Sequence, residues 1–181
     1  MQSEQLDLPQ LDMRFNRFSR LPKIALPEGY LLCTYLDRGA DDWISALNAT
    51  GQLGEWNQES ARAWLEGERQ IIPEGTFFIL FEDTPAATAC TVTPTGTKAR
   101  PEIGWISVSP GHQGKRLGYQ VTLAGLRFLA EQGYTETYLH TDDWRLPALK
   151  TYLNLGFEPE ITHESHPERW EKIYASLGIN P

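Results

Sequence analysis

Three glycines, a glutamine and two cations fall within eight residues, Gly111-His112-Gln113-Gly114-Lys115-Arg116-Leu117-Gly118, between a strand-like run and a long helical pattern. Glycines let the main chain approach an anion without an intervening Cβ. A helix N-terminus adds unpaired N–H groups and the positive end of its dipole, and Lys115 and Arg116 add charge at the same place. The chemistry that such a loop supports is the binding of phosphate or pyrophosphate. An NTPase P-loop is excluded, because Gly111 and Gly114 are too close together and Arg116 stands where a Ser or Thr must follow Gly-Lys. A dinucleotide fingerprint fails too: GxGxxG does not occur, and no early strand–turn–helix opens the chain.

A second constellation lies downstream, where Arg145, Ala148, Tyr152 and Gly156-Phe157 follow one another at helical spacing. Together the two stretches resemble the GNAT N-acetyltransferase superfamily. Its coenzyme A loop reads Gln/Arg-x-x-Gly-x-Gly/Ala, and its later helix carries Asn-x-x-Ala-x-x-x-Tyr-x-x-x-Gly-Phe. Gln113 to Gly118 fill the first pattern except that Arg116 replaces the middle glycine; Ala148, Tyr152, Gly156 and Phe157 fill the second, with Arg145 where Asn is usual. The likeness runs over roughly residues 29–161 and is densest from Glu102 to Phe157.

The resemblance implies acetyl-CoA as co-substrate, with no metal, and a small-molecule or peptide amine as acceptor, in a monomer or homodimer. Pantetheine would lie along Ile106, Ser107 and Val108, with an N–H near Val108 polarising the thioester carbonyl. Gln113, Gly114, Lys115, Arg116, Leu117, Gly118 and Tyr119 would hold the pyrophosphate. Tyr152 resembles the general acid, since a phenol of pKa about 10 stays protonated at neutrality and can protonate a thiolate. Glu102 stands where one branch of the superfamily places its general base, and it equally fits a solvated carboxylate at a strand start. Asp142, Asp143 and Trp144 would line the acceptor pocket. Direct attack by the amine leaves Cys33 and Cys90 no catalytic role. A non-catalytic acyl-CoA sensor or scaffold is the alternative that Arg116 and Arg145 keep open.

The elements that must position these residues follow from periodicity and turn signals. Residues 1–28, with Pro9, Pro22 and Pro27, read as an irregular arm. Tyr30–Leu36 reads as a strand. Asp41 or Asp42 caps a helix carrying Trp43, Ile44 and Leu47, and Asn57 opens another. Thr76–Glu82 and Ala86–Thr93 form a hairpin around Asp83–Pro85. Glu102–Val108 is a strand, and a helix runs from about Lys115 to Gln132, where Gly133 ends it. Thr135–Thr141 is a strand, Pro147 begins a helix that Gly156 stops, and Trp170, Ile173, Tyr174 and Leu177 mark a last amphipathic segment. This order implies one α/β (or α+β) domain over residues 29–181, a mixed sheet with helices on both faces. The resemblance makes that sheet mainly antiparallel, with its fourth and fifth strands splayed.

The bulk properties narrow the remaining classes. A net charge of −8 over 181 residues, with a pI near 5.0, argues against a nucleic-acid partner. No apolar stretch approaches the ~20 residues of a membrane helix, and the N-terminus lacks the apolar core of a signal peptide. A cytoplasmic location is the default expectation. His163-x-x-His166 lacks a third ligand nearby and reads as a pair of solvated loop histidines. Glu55 and Trp56 lie in a region that, by the resemblance, covers the acceptor side.

Overall fold

The computed structural model describes residues 8–67, 69–94 and 100–180. Alternation builds its strands. Leu11, Met13 and Phe15 are buried while Asp12 and Arg14 alternate with them, giving strand β1 (Leu11–Phe15). This corrects the irregular-arm expectation. β1 is no appendage: it lies inside the sheet, antiparallel to β7 (Thr137–Thr141) and β8 (Glu158–Glu160).

The strand expected at Tyr30–Leu36 ends at Thr34 (β2, Tyr30–Thr34), and Tyr35–Arg38 form the short helix α1. Local capping explains the difference. The Thr34 N–H and hydroxyl both donate to Asp37 Oδ2 at 2.8 Å, a capping box that outweighs the strand preference of Tyr35. Helix α2 (Ala40–Asn48) has Gly39 rather than an aspartate at its N-cap, and Asp41 and Asp42 sit in the first turn, favourable to the dipole. Asn57 caps α3 (Gln58–Glu66) as expected, accepting from the Glu59 and Ser60 N–H groups.

β3 (Arg69–Ile71) pairs with β5 (Thr84–Pro94), which also pairs with β4 (Phe77–Phe81). The turn between β4 and β5 is Glu82-Asp83, one residue earlier than expected, and both have positive φ (47° and 64°), which matches the twist of a two-residue hairpin. β6 (Glu102–Val108) follows, then α4 (Leu117–Glu131), β7, α5 (Leu146–Leu155), β8 and α6 (His166–Leu177). The sheet order is β2-β4-β5-β6-β7-β1-β8, with β3 beside β5.

Helices cover both faces. Along β5, Cys90 and Val92 pack with Trp43 and Leu47 of α2, whereas Ala87 and Ala89 pack with Leu117 and Val121 of α4.

Two features open the sheet where the site lies. The register of β5 against β6 shifts between Thr88 and Cys90, and opposite that shift Trp105 takes φ +52°, a bulge with a non-glycine residue in the left-handed region. Its indole packs against Trp56 at 4.8 Å and Trp64 at 5.0 Å, which holds the conformation in place. β6 and β7 are parallel and pair only at Glu102 with Tyr138. Beyond that point they diverge, which is the expected splay.

Candidate active site

A cavity of about 490 Å³ occupies the mouth of the splay. Ile106, Ser107 and Val108 of β6 form one wall, residues 112–119 without Lys115 form the loop end, and Trp144, Arg145, Ala148 and Tyr152 form the opposite wall. Strand alternation directs the backbone of β6. The Ser109 N–H donates to Ala86 O on the β5 side, so the N–H and C=O of Val108 face the open side. Ser107 and Leu117 contribute little side chain: each is nearly fully buried, and the Ser107 hydroxyl donates to Ala46 O in α2 at 3.1 Å.

The loop turns by left-handed residues. Gly114 has φ +76°, and Arg116, at the N-cap of α4, has φ +61° and ψ +17°. Arg116 therefore adopts the conformation that glycine favours, at an expense of about 1 kcal/mol. Its guanidinium lies 4.9 Å from the Tyr119 ring centroid, and both residues line the cavity. Lys115 does not. Its ammonium donates to Tyr30 Oη at 2.8 Å, away from the place the loop pattern gave it. The other side of that hydroxyl meets His112 Nδ1 at 2.8 Å, and His112 does line the cavity.

Tyr152 is placed by the second turn of α5 and is only 2% exposed, yet it borders the cavity. Burial pushes its phenol up to about 12, with the nearby Arg145 charge opposing. The Arg145 guanidinium reaches across the splay and donates through Nη2 to Ile106 O at 3.3 Å. An Arg here thus bridges the two walls. Trp144 stands 60% exposed at the mouth.

Other expected residues fall elsewhere. Glu102 lies four residues before Ile106 on β6, ~13 Å along an extended strand, and is not part of the lining. Asp142 accepts from Gln10, and Asp143 accepts from Arg169 Nε at 3.0 Å; neither lines the cavity. Trp56 is buried in the indole cluster rather than facing the cavity. His166 corrects the reading of solvated loop histidines: it opens α6 fully buried, with Nδ1 3.4 Å from Glu160 O. Among the described residues no group of His, Cys, Asp and Glu could hold a metal ion, and no helix is long and apolar enough to cross a membrane.

Thr50 and Gln52 line the cavity from the connection between α2 and α3, and sequence reasoning did not single them out. Neither belongs to a motif; packing of α2 against β5 and β6 carries them there. His112 was visible inside the loop but bears no motif position.

The family model described as Acetyltransferase (GNAT) family matches residues 40–157. A mycothiol acetyltransferase of Rhodococcus erythropolis is 32% identical over 152 residues, covering 77% of this chain and 50% of that protein. One from Saccharomonospora viridis is 30% identical, covering 76% and 48%. The chain thus spans about half the length of these curated relatives. Among solved structures, a GCN5-related N-acetyltransferase from Sphaerobacter thermophilus aligns with a TM-score of 0.63 at 19% identity, over 84% of this chain and 50% of that one. A tandem GNAT protein from the clavulanic acid biosynthesis pathway aligns at 0.62 and 19%, over 86% and 51%. At these identities the structural likeness shows the fold.

Proposed function

The chain belongs to the Acetyltransferase (GNAT) family, and from that premise we propose that it transfers an acetyl group from acetyl-CoA to a primary amine by direct attack. The observation that carries this reading is that one cavity, in the splay of β6 from β7, holds both the anion-binding loop and the Tyr152 phenol.

The residues present fit the donor substrate. The loop from Gln113 to Tyr119 offers glycine backbone, the α4 N-terminus and the Arg116 guanidinium to a diphosphate. The open-side N–H and C=O of Val108 suit an amide-bearing arm, and that N–H suits a developing oxyanion. The amine nitrogen attacks the thioester carbonyl, a C–N bond forms, and the C–S bond breaks. The thiolate takes the Tyr152 proton, which the burial of that phenol keeps in place through neutral pH.

No carboxylate lines the cavity among the described residues, so the amine enters uncharged, and the proton its nitrogen sheds on forming the amide passes through water to restore the Tyr152 phenol. The unit that performs this runs from β1 to α6, because β1 lies within the sheet.

The deciding experiment is calorimetry with acetyl-CoA, followed by thiol release across a panel of amines. Binding with amine-dependent thiol release is the expected result. Binding without turnover on any amine would support a sensor or scaffold, and no binding would remove coenzyme A from the account.

A further inference from the structure

The cavity carries two permanent cations and no acid. Arg116 stands at the loop end and Arg145 at the reacting end beside Tyr152, while no Asp or Glu lines the space among the described residues. In a chain of net charge −8 this is a local inversion of sign. A diphosphate accounts for Arg116. Acetyl transfer gives Arg145 only transient partners, the thiolate and the Tyr152 phenolate: in the bound substrates the acetyl group is neutral, and a protonated amine is repelled by a guanidinium.

Arg145 is also incompletely engaged. Of the five N–H donors in its planar fork, the Nη2 group meets Ile106 O at 3.3 Å, and no carboxylate pairs with it among the described residues. A half-buried guanidinium so placed matches a carboxylate in geometry and charge. The surroundings suit a small polar ligand. Trp144 offers its ring, with the Arg145 guanidinium carbon 5.7 Å from the centroid, and Thr50 and Gln52 supply neutral polar groups to the same cavity.

We infer that Arg145 is a subsite for a carboxylate carried by one of the two substrates, either on the acyl group of the coenzyme A thioester or on the acceptor amine. This rests on the acyl-transfer reading above. The step is unchanged: the amine nitrogen bonds the thioester carbonyl carbon, the C–S bond breaks, the thiolate takes the Tyr152 proton, and the proton shed by the nitrogen returns through water to the Tyr152 phenolate. The carboxylate is held and takes no part in bond changes.

Steady-state kinetics in two arms test it. One arm compares succinyl-CoA with acetyl-CoA on a neutral amine; the other compares an amino acid with its primary amide at saturating acetyl-CoA. Each is run on the wild type, Arg145→Gln and Arg145→Lys, with melts to confirm folding. In one arm the carboxylate substrate is expected to show about 10-fold higher kcat/KM, the size of a charge-assisted hydrogen bond. That preference collapses in Arg145→Gln and is partly kept in Arg145→Lys, and the arm that shows it identifies the source. A wild type without carboxylate preference in either arm overturns the inference, as does a preference that survives Arg145→Gln. Equal loss on every substrate assigns Arg145 to its Ile106 contact and overturns it as well. Wild type that binds no acetyl-CoA removes the acyl-transfer reading itself, a result distinct from turnover without preference.

Discussion

The Lys115 ammonium donates to the Tyr30 hydroxyl at 2.8 Å, which ties the loop before α4 to the edge strand β2. An ammonium has no lone pair, so Tyr30 Oη accepts and its own proton points at His112 Nδ1, 2.8 Å away. A neutral His112 then carries its proton on Nε2. The three side chains form one brace under the loop, and Lys115 also lies 5.4 Å from the Tyr30 ring centroid. Lys115 thereby shapes the anion site without facing it.

Tyr30→Phe removes this brace and keeps the ring, whose centroid lies 4.9 Å from that of Phe81. The expected effect is a loss of about 1–2 kcal/mol in stability, two hydrogen bonds' worth, and a several-fold weaker affinity for acetyl-CoA. Chemical denaturation and calorimetry check the two. A variant that matches the wild type in both would show that the brace does not order the loop.

Tyr152 sets a pH dependence whose sign follows from its burial. Its phenol is pushed up to about 12, above the ordinary value near 10. The folded chain therefore holds this proton more tightly than the unfolded chain. The stability tied to it is whole below pH ~10 and is lost as pH rises from there towards 12. Tyr152→Phe flattens that part of the alkaline stability profile and lowers kcat at least ~10-fold. Acetyl-CoA affinity is expected to persist. Retained turnover in Tyr152→Phe would take the proton donor elsewhere.

The parts of this site legible in the sequence are those set by local chemistry. The strand Glu102–Val108 and the helix of the α5 stretch, with its stop at Gly156, depend on neighbours a few residues away, and as elements they stand as read. What was not legible is set at long range. β1 is a strand because β7 and β8 flank it on both edges, and flanking prolines hid its alternation. The direction of Lys115 depends on Tyr30, 85 residues earlier. The bulge at Trp105 rests on two indoles from the α2–α3 region, and an aromatic residue gives no sign of positive φ.

Arg116 combines an unfavourable backbone with a useful charge, and substitution separates them. Arg116→Gly relieves the left-handed conformation at φ +61° while giving the unfolded chain more freedom, for a net gain of about 0.5–1 kcal/mol in stability. The same change removes a cation from the cavity, so acetyl-CoA binding weakens and its salt dependence becomes shallower. Lys115→Ala, by contrast, leaves the salt dependence close to that of the wild type, because its ammonium faces Tyr30. Melts and calorimetry at two ionic strengths distinguish them. A steeper loss of salt dependence in Lys115→Ala than in Arg116→Gly would reverse these assignments.

Asp143 follows β7 at the edge of the splay, yet its carboxylate is held by Arg169, whose Nε lies 3.0 Å from both oxygens. The same guanidinium donates through Nη1 to Pro9 O at 2.8 Å, so one side chain joins the β7–α5 connection, α6 and the chain entering β1. The Arg169 side chain is 12% exposed and that of Asp143 27%, which leaves little room for water to replace either partner. Asp143→Ala strands a largely covered guanidinium and is expected to lower stability by about 1–3 kcal/mol. The KM for the amine stays at its wild-type value, since the carboxylate already has its partner and does not line the cavity. Denaturation curves and amine saturation curves measured together decide the matter. A raised KM with unchanged stability would return Asp143 to the acceptor pocket, whereas lost stability with unchanged KM fixes it as the residue that holds α6 against the N-terminal strand.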